Sequence, residues 1–237
     1  MPPESYIRTP KDEDKSFHSD WIRKSRVNYF ACFMELWVGF NAWFKQACDE
    51  MQDRKCIDKI KLGDISTNEL FNVFDYLLYD TESKESLLFR GNLEALYYTL
   101  NAANLKYPKG PKSKANPDKA ECRKIGFNDV LIDWKKGIYA SAYQDLFHSF
   151  KPETEREREA EEQKIEENPD HLDDFIELDK VRLINDSKLI FSGLIEIVYQ
   201  VRCKLFHGDL DPDDPAHYGA VKYCYELLSE MAGRLKT

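Results

Sequence analysis

The stretch that most constrains this chain is Leu194-Ile-Glu-Ile-Val-Tyr-Gln-Val-Arg-Cys-Lys-Leu-Phe-His-Gly-Asp209. Apolar residues at 194, 195, 197, 198, 201, 205 and 206 recur at the three-and-four spacing of an amphipathic helix. That helix is expected from about Asp186 to His207, with Gly208 as its left-handed stop and the acidic turn Asp209-Leu-Asp-Pro-Asp-Asp214 beyond it. A helix that buries this much surface normally carries polar residues on its outer face only. Arg202 and His207 instead sit beside or within the apolar stripe, at its last turn. They are the two residues to explain.

The rest of the chain points to helices as well. Of 237 residues 42% are hydrophobic and 13% aromatic, enough for a sizeable core, and only ten Gly and ten Pro interrupt them. No long alternating Val/Ile/Thr run is present, so the expected class is all-α, a helical bundle with a charged insertion. Residues 1–17 read as a polar tail and 18–237 as a single domain, interrupted at about 106–175. No apolar run approaches the ~20 residues of a membrane span, and Met1-Pro-Pro-Glu-Ser-Tyr6 does not read as a signal peptide. The six cysteines form no Cys-x-x-Cys pair, which fits reduced thiols in a cytoplasmic protein.

Taken in order, a first long helix is predicted from Ser19 or Asp20 through Trp21, Ile22, Phe33, Trp37, Val38 and Phe44, apolar around much of its circumference and so nearly enclosed. Gly39 offers a place for another helix to come close. Asn41, polar among aromatics, is either a satisfied core amide or an orienter of Arg202 or His207. A mixed segment follows over 49–65. Ser66-Thr-Asn-Glu69 then reads as a capping box for a helix to about Tyr79. The next helix runs from about Lys84 to Leu105, with Leu87, Leu88, Leu93, Leu96, Tyr97 and Leu100 inward and Gly91 loosening it.

Between Lys106 and Lys124 seven basic residues face only Asp118 and Glu121. As structure this reads as a solvated loop; as function, Lys109, Lys112, Lys114, Arg123 and Lys124 are the best candidates for holding a phosphate backbone. A helix is expected from about Asn128 to Phe150, bearing His148 as a spare imidazole. Glu153–Asp179 holds thirteen acidic residues against three basic ones, a solvated or partner-binding segment. Asp209, Asp211 and Asp213 alternate like calcium ligands, but Asp214 and Ala220 stand where such a loop needs Gly and Glu. Asp214-Pro215 instead opens a last helix. His217 and Tyr218 lie at its start.

The chemistry open to Arg202 and His207 follows from their side chains. Five helical steps give about 140° of rotation and roughly 7.5 Å of rise, but the helix is ending and an Arg side chain is long, so the two can converge. An imidazole exchanges a proton near neutral pH. A guanidinium stays charged and can clamp a phosphate with two prongs. Such a pair could cleave RNA by helping a ribose 2′-OH attack its own phosphate, without a metal or other cofactor. The plain alternatives are a salt bridge from Arg202 to an acid of the 209–214 turn and a helix-terminal hydrogen bond for His207. The net charge of −9 argues against a broad nucleic-acid surface, so RNA would need a local basic patch or a partner.

Val201-Arg-Cys-Lys-Leu-Phe-His-Gly208 resembles the Arg-x4-6-His signature of HEPN domains, the all-α domains of prokaryotic defence and toxin–antitoxin ribonucleases. Trp37-Val-Gly-Phe-Asn-Ala-Trp-Phe44 is similar to a helix that accompanies the signature in some branches. The resemblance implies a metal-independent endoribonuclease, with Arg202 and His207 catalytic and brought together in a homodimer. Asn41 and Cys203 would be accessory, and an antitoxin or defence-system protein a possible partner. Cys203 stands where active members often carry Asn, Asp or His. Asp209 stands where antitoxin-paired members carry Tyr. The competing reading is a non-catalytic HEPN-like module for binding or dimerisation.

Overall fold

Asn28, Asn68, Ser83, Asp186 and Asp214 each accept a hydrogen bond from a backbone N–H two or three residues on, and each opens a helix. The computed structural model describes residues 27–48, 52–62, 68–108, 122–127, 149–150 and 175–235, with isolated positions between 156 and 163. Among these the fold is mostly helical. Its helices are α1 (Tyr29–Cys48), α2 (Asp53–Leu62), α3 (Glu69–Tyr79), α4 (Lys84–Ala103), α5 (Ser187–Phe206) and α6 (Pro215–Ala232). No described helix is long and apolar enough to cross a membrane. The tail 1–17, the predicted helix over 128–148 with His148, and Lys109, Lys112 and Lys114 lie outside the described residues.

The last two helices follow the reading from sequence closely, and the earlier ones depart from it in instructive places. Among the described residues the first helix begins at Tyr29, because Asn28 caps it by accepting from Ala31 N at 3.2 Å; the predicted start at Ser19 or Asp20, with Trp21 and Ile22, lies outside them. It is also less enclosed than its aromatics imply. Its buried residues form one stripe, Phe33, Trp37, Phe40, Phe44 and Cys48, while Val38 is 64% exposed. The enclosed helix is α5, where every residue from Leu189 to Val198 is buried. At α3 the cap is Asn68, which accepts from Phe71 N at 3.0 Å and donates to Ile60 O at 2.9 Å. One amide thus starts α3 and fastens it to the end of α2.

In α4 the inward face runs through Ser86, Phe89, Leu93, Leu96 and Leu100. Leu87 and Leu88, expected inward, are exposed at 53% and 59%. The stripe fixed by Leu93, Leu96 and Leu100 continues backwards in steps of three and four to Phe89 and Ser86. Phe89 fills that place against Phe74, and Phe74 in turn meets Phe191 of α5, with ring centroids 5.9 and 5.3 Å apart. Such edge and tilted pairs add about 0.5–1.5 kcal/mol each beyond their buried area.

Among the described residues five strands of two to four residues accompany the helices. Lys106–Pro108 (β1) pairs antiparallel with Cys122–Lys124 (β2), so the basic segment is closed at its base by a ladder where a loop was expected. Ser149–Phe150 (β3) joins Val181–Ile184 (β5), which also pairs with Phe175–Glu177 (β4). Residues 149 and 150 are therefore strand, not the end of a helix. The β4–β5 hairpin is tied to α4 by two side chains one turn apart. Glu94 accepts from Asp179 N and Lys180 N at 2.9 and 3.2 Å, and Arg90 donates to Leu78 O and Glu177 O.

The close helix approach is at Gly219 of α6, against α4, and not at Gly39 of α1. A Cβ on Gly39 or Gly91 would meet nothing within 4 Å, whereas one on Gly219 would lie 2.8 Å from Thr99 Cγ2. Thr99 cannot readily swing aside, because its hydroxyl donates to Ala95 O at 2.7 Å. Gly219→Ala is therefore expected to lower the unfolding free energy by about 1–3 kcal/mol in urea titration. Adding Thr99→Ala should recover part of that loss; a Gly219→Ala protein as stable as wild type would contradict the packing.

Candidate functional site

Gly208, at φ +70°, ends α5 in a Schellman arrangement, with Gly208 N donating to Leu205 O at 3.1 Å and Asp209 N to Lys204 O at 2.9 Å. The chain turns away immediately after His207, which leaves that imidazole exposed. The turn beyond is held by its own side chains. Lys204 pairs with Asp209 at 2.9 Å, and His217 Nδ1 accepts from Asp211 N at 3.0 Å. The Lys204 ammonium holds the Asp209 carboxyl below its usual range. Tyr218 donates to Val27 O at 2.8 Å and packs against Tyr29 and Phe30. His217 and Tyr218 thus have local structural partners.

Arg202 has an unusual environment. Its guanidinium lies 4.1 Å from the centroid of the Phe206 ring and 5.2 Å from that of Trp37, a cation held against two aromatic rings. Trp37 comes from the buried stripe of α1; Phe206 is one turn on along α5. The side chain of Arg202 is only 19% exposed, yet its donors are little used. Nη2 reaches Asp53 Oδ2 at 3.4 Å, Nη1 touches Cys203 Sγ at 4.0 Å, and Nε is buried with no hydrogen-bond partner among the described residues. Asp53 itself is held more tightly by Lys45, at 3.0 Å. The acid beside Arg202 is therefore at the start of α2, not in the 209–214 turn.

No hydrogen bond joins Arg202 to His207, and the His207 side chain has no hydrogen-bond partner among the described residues. Asn41 bonds to neither; its Oδ1 is buried and unpartnered, like Nε1 of Trp37 one turn earlier. Cys203 touches Arg202 and lies one turn from Tyr199, whose phenol is pushed up to about 12 by burial and by that thiol. Of the predicted basic contacts, Arg123 and Lys124 are half-buried residues of β2, and Lys124 donates to Asn101 at 3.3 Å. Among the described residues no three His, Cys, Asp or Glu side chains form a metal-holding group.

A second cluster, absent from the sequence reading, sits behind this one. Glu196 is 3% exposed within the enclosed part of α5. Its carboxylate meets Lys61 Nζ at 2.5 Å, Arg54 Nη1 at 2.7 Å and Gln200 Nε2 at 2.8 Å. Arg54 also pairs with Asp58 at 2.8 Å and lies over the Tyr199 ring at 5.5 Å. Burial pushes the Glu196 carboxyl up, but Lys61, Arg54 and their hydrogen bonds outweigh it and hold it below the usual carboxylate range. The signal was present in the sequence: one acid inside an otherwise uncharged decapeptide, and Arg54, Asp58 and Lys61 at four- and three-residue spacing on α2.

Compared with models of known families, with curated proteins and with solved structures, the chain matches none.

Two stability measurements separate these clusters. Glu196→Ala strands the buried Lys61 ammonium, takes one of Arg54's two carboxylate partners, and is expected to cost about 3–5 kcal/mol of unfolding free energy. Because the Glu196 pKa is depressed on folding, its contribution is complete above the unfolded carboxyl value and fades as pH falls through the folded one. The variant's deficit should therefore shrink in acid, and a deficit independent of pH would refute the assignment. Arg202→Met, by contrast, is expected to leave stability unchanged or raise it by about 1 kcal/mol, since a half-buried guanidinium with so few partners does not repay its desolvation. A loss above about 2 kcal/mol would mark Arg202 as a structural post.

Proposed function

We propose that this chain is a HEPN-type endoribonuclease that works without a metal as a homodimer in prokaryotic stress or phage defence. The observation that carries the reading is the state of Arg202: a guanidinium fixed against Trp37 and Phe206, with most of its N–H groups unclaimed among the described residues, five positions before an exposed imidazole. Fixed, under-used donors are what a developing phosphorane needs, because they require no reorganisation when the charge appears. His207 would take the proton of a ribose 2′-OH as it attacks the adjacent phosphorus. The bond from phosphorus to the 5′-oxygen breaks, giving a 2′,3′-cyclic phosphate and, once a proton is returned, a 5′-hydroxyl. Arg202 would neutralise the equatorial oxygens.

Arg202 and His207 do not touch within one chain, so a second copy is part of the proposal: each guanidinium would work with a neighbour's imidazole. Asn41 and Cys203 would steady Arg202. Lys109, Lys112, Lys114, Arg123 and Lys124 would supply the local positive charge that the chain as a whole lacks. One observation favours the alternative, a non-catalytic HEPN-like dimerisation or docking module. Arg202 already has a carboxylate, Asp53, within 3.4 Å.

The deciding experiment is incubation of total RNA with the purified chain in excess EDTA. Cleavage ending in 2′,3′-cyclic phosphates is expected, and His207→Ala and Arg202→Ala should each slow it by about 10²–10⁴-fold. Folded variants that cut as fast as wild type would leave the docking module as the surviving account.

A further inference from the structure

The rings and the guanidinium of the site form a stack with one end in the core and the other in water. Trp37, 1% exposed, is the inner layer, and Arg202 the middle one. Phe206 is the outer layer, 4.1 Å from the guanidinium and 47% exposed. It was expected inward from its place in the apolar stripe. One face of its ring is occupied by the cation, which also fixes its orientation; the ring is otherwise substantially open to solvent. Its chain neighbour is His207.

We infer that Phe206 is a stacking platform for an unpaired nucleobase beside the phosphate that Arg202 and His207 address. This rests on the ribonuclease reading and adds the residue that would hold the base. Charge complementarity and chemistry both favour a base as the occupant. A nucleotide carries a flat apolar face for the ring and an anion for the guanidinium edge on one short tether, and Arg202 and Phe206 present both together. A chain of net charge −9 repels an RNA backbone overall, so it needs affinity that does not come from charge. Stacking on an aromatic side chain supplies roughly 5- to 150-fold per base. In a duplex the bases are stacked on each other and closed to such a ring.

The test is fluorescence anisotropy with a short unstructured RNA carrying 2′-O-methyl groups, which removes the attacking hydroxyl, and with the same strand in a duplex. Phe206→Leu, similar in size but without a π face, is expected to weaken single-strand binding by roughly 5- to 150-fold. Phe206→Trp should restore it, and duplex binding should not change. If Phe206→Leu binds like wild type while His207→Ala abolishes cleavage of unmodified RNA, the platform is wrong and the ribonuclease reading stands. If wild type neither binds nor cuts RNA, both fall. If Phe206→Leu changes the sedimentation mass, a second copy covers the ring and the platform is again wrong.

Discussion

A carboxylate sealed inside a helix is the constraint from which the site's geometry follows. Glu196 occupies the enclosed part of α5, where an uncompensated charge would be costly, and Lys61 and Arg54 meet it from α2. Ser192, one turn earlier, donates to Lys61 O at 2.9 Å, so the same two helices are joined twice. Once α2 is fixed in this register, its first residue, Asp53, is delivered to the side of Arg202. The salt bridge nearest the candidate site is thus a consequence of one buried about two turns deeper. Arg54 extends the connection by lying over Tyr199, one turn before Cys203, the residue next to Arg202.

How much of this could be read from the chain depended on whether the deciding interaction was local. Asp186, Asp214, Ser83 and Gly208 act within a few residues of themselves, and the helix ends they mark are where the sequence puts them. Only the first turn of α4's inward face was misplaced, because Leu87 and Leu88 were counted as core. Phe89 competes with Leu88 for the same gap, and Phe74 across the interface decides between them. Likewise α1 reads as the central helix when every aromatic counts as buried, although Trp and Tyr tolerate a wet edge. Gly39 and Gly219 look alike in the chain; only Thr99, 120 residues before Gly219, tells them apart.

The polar groups missed share one physical cause. Periodicity assigns charged residues to the outer face, yet Glu94 and Arg90 bind the backbone of the β4–β5 hairpin, and Glu196 binds α2. In each case a charge turned inward satisfies something that helix packing alone leaves unmet: a tight turn's N–H groups, free carbonyls, or another charge. Arg202 is legible for the same reason that it is unusual. It lies at the edge of an apolar stripe without the dense set of partners that Arg54 and Glu94 have, and its role in packing is taken by two aromatic rings instead.

That difference bears on how the Asp53 contact is to be understood. A carboxylate 3.4 Å from a guanidinium can serve as a permanent partner or as a place-holder, and the surroundings of Asp53 decide between the two. Lys45 stands closer to Asp53, at 3.0 Å, with a side chain 40% exposed. An anion that took the free edge of Arg202 would leave Asp53 still paired, and Arg202 still held by the rings, so neither charge would be stranded. Arg54 offers no such exchange, because Glu196 has no water to turn to once a partner leaves. Of the cations in the two clusters, Arg202 is the one whose acidic neighbour can be replaced without exposing a buried charge, and it is the one beside His207.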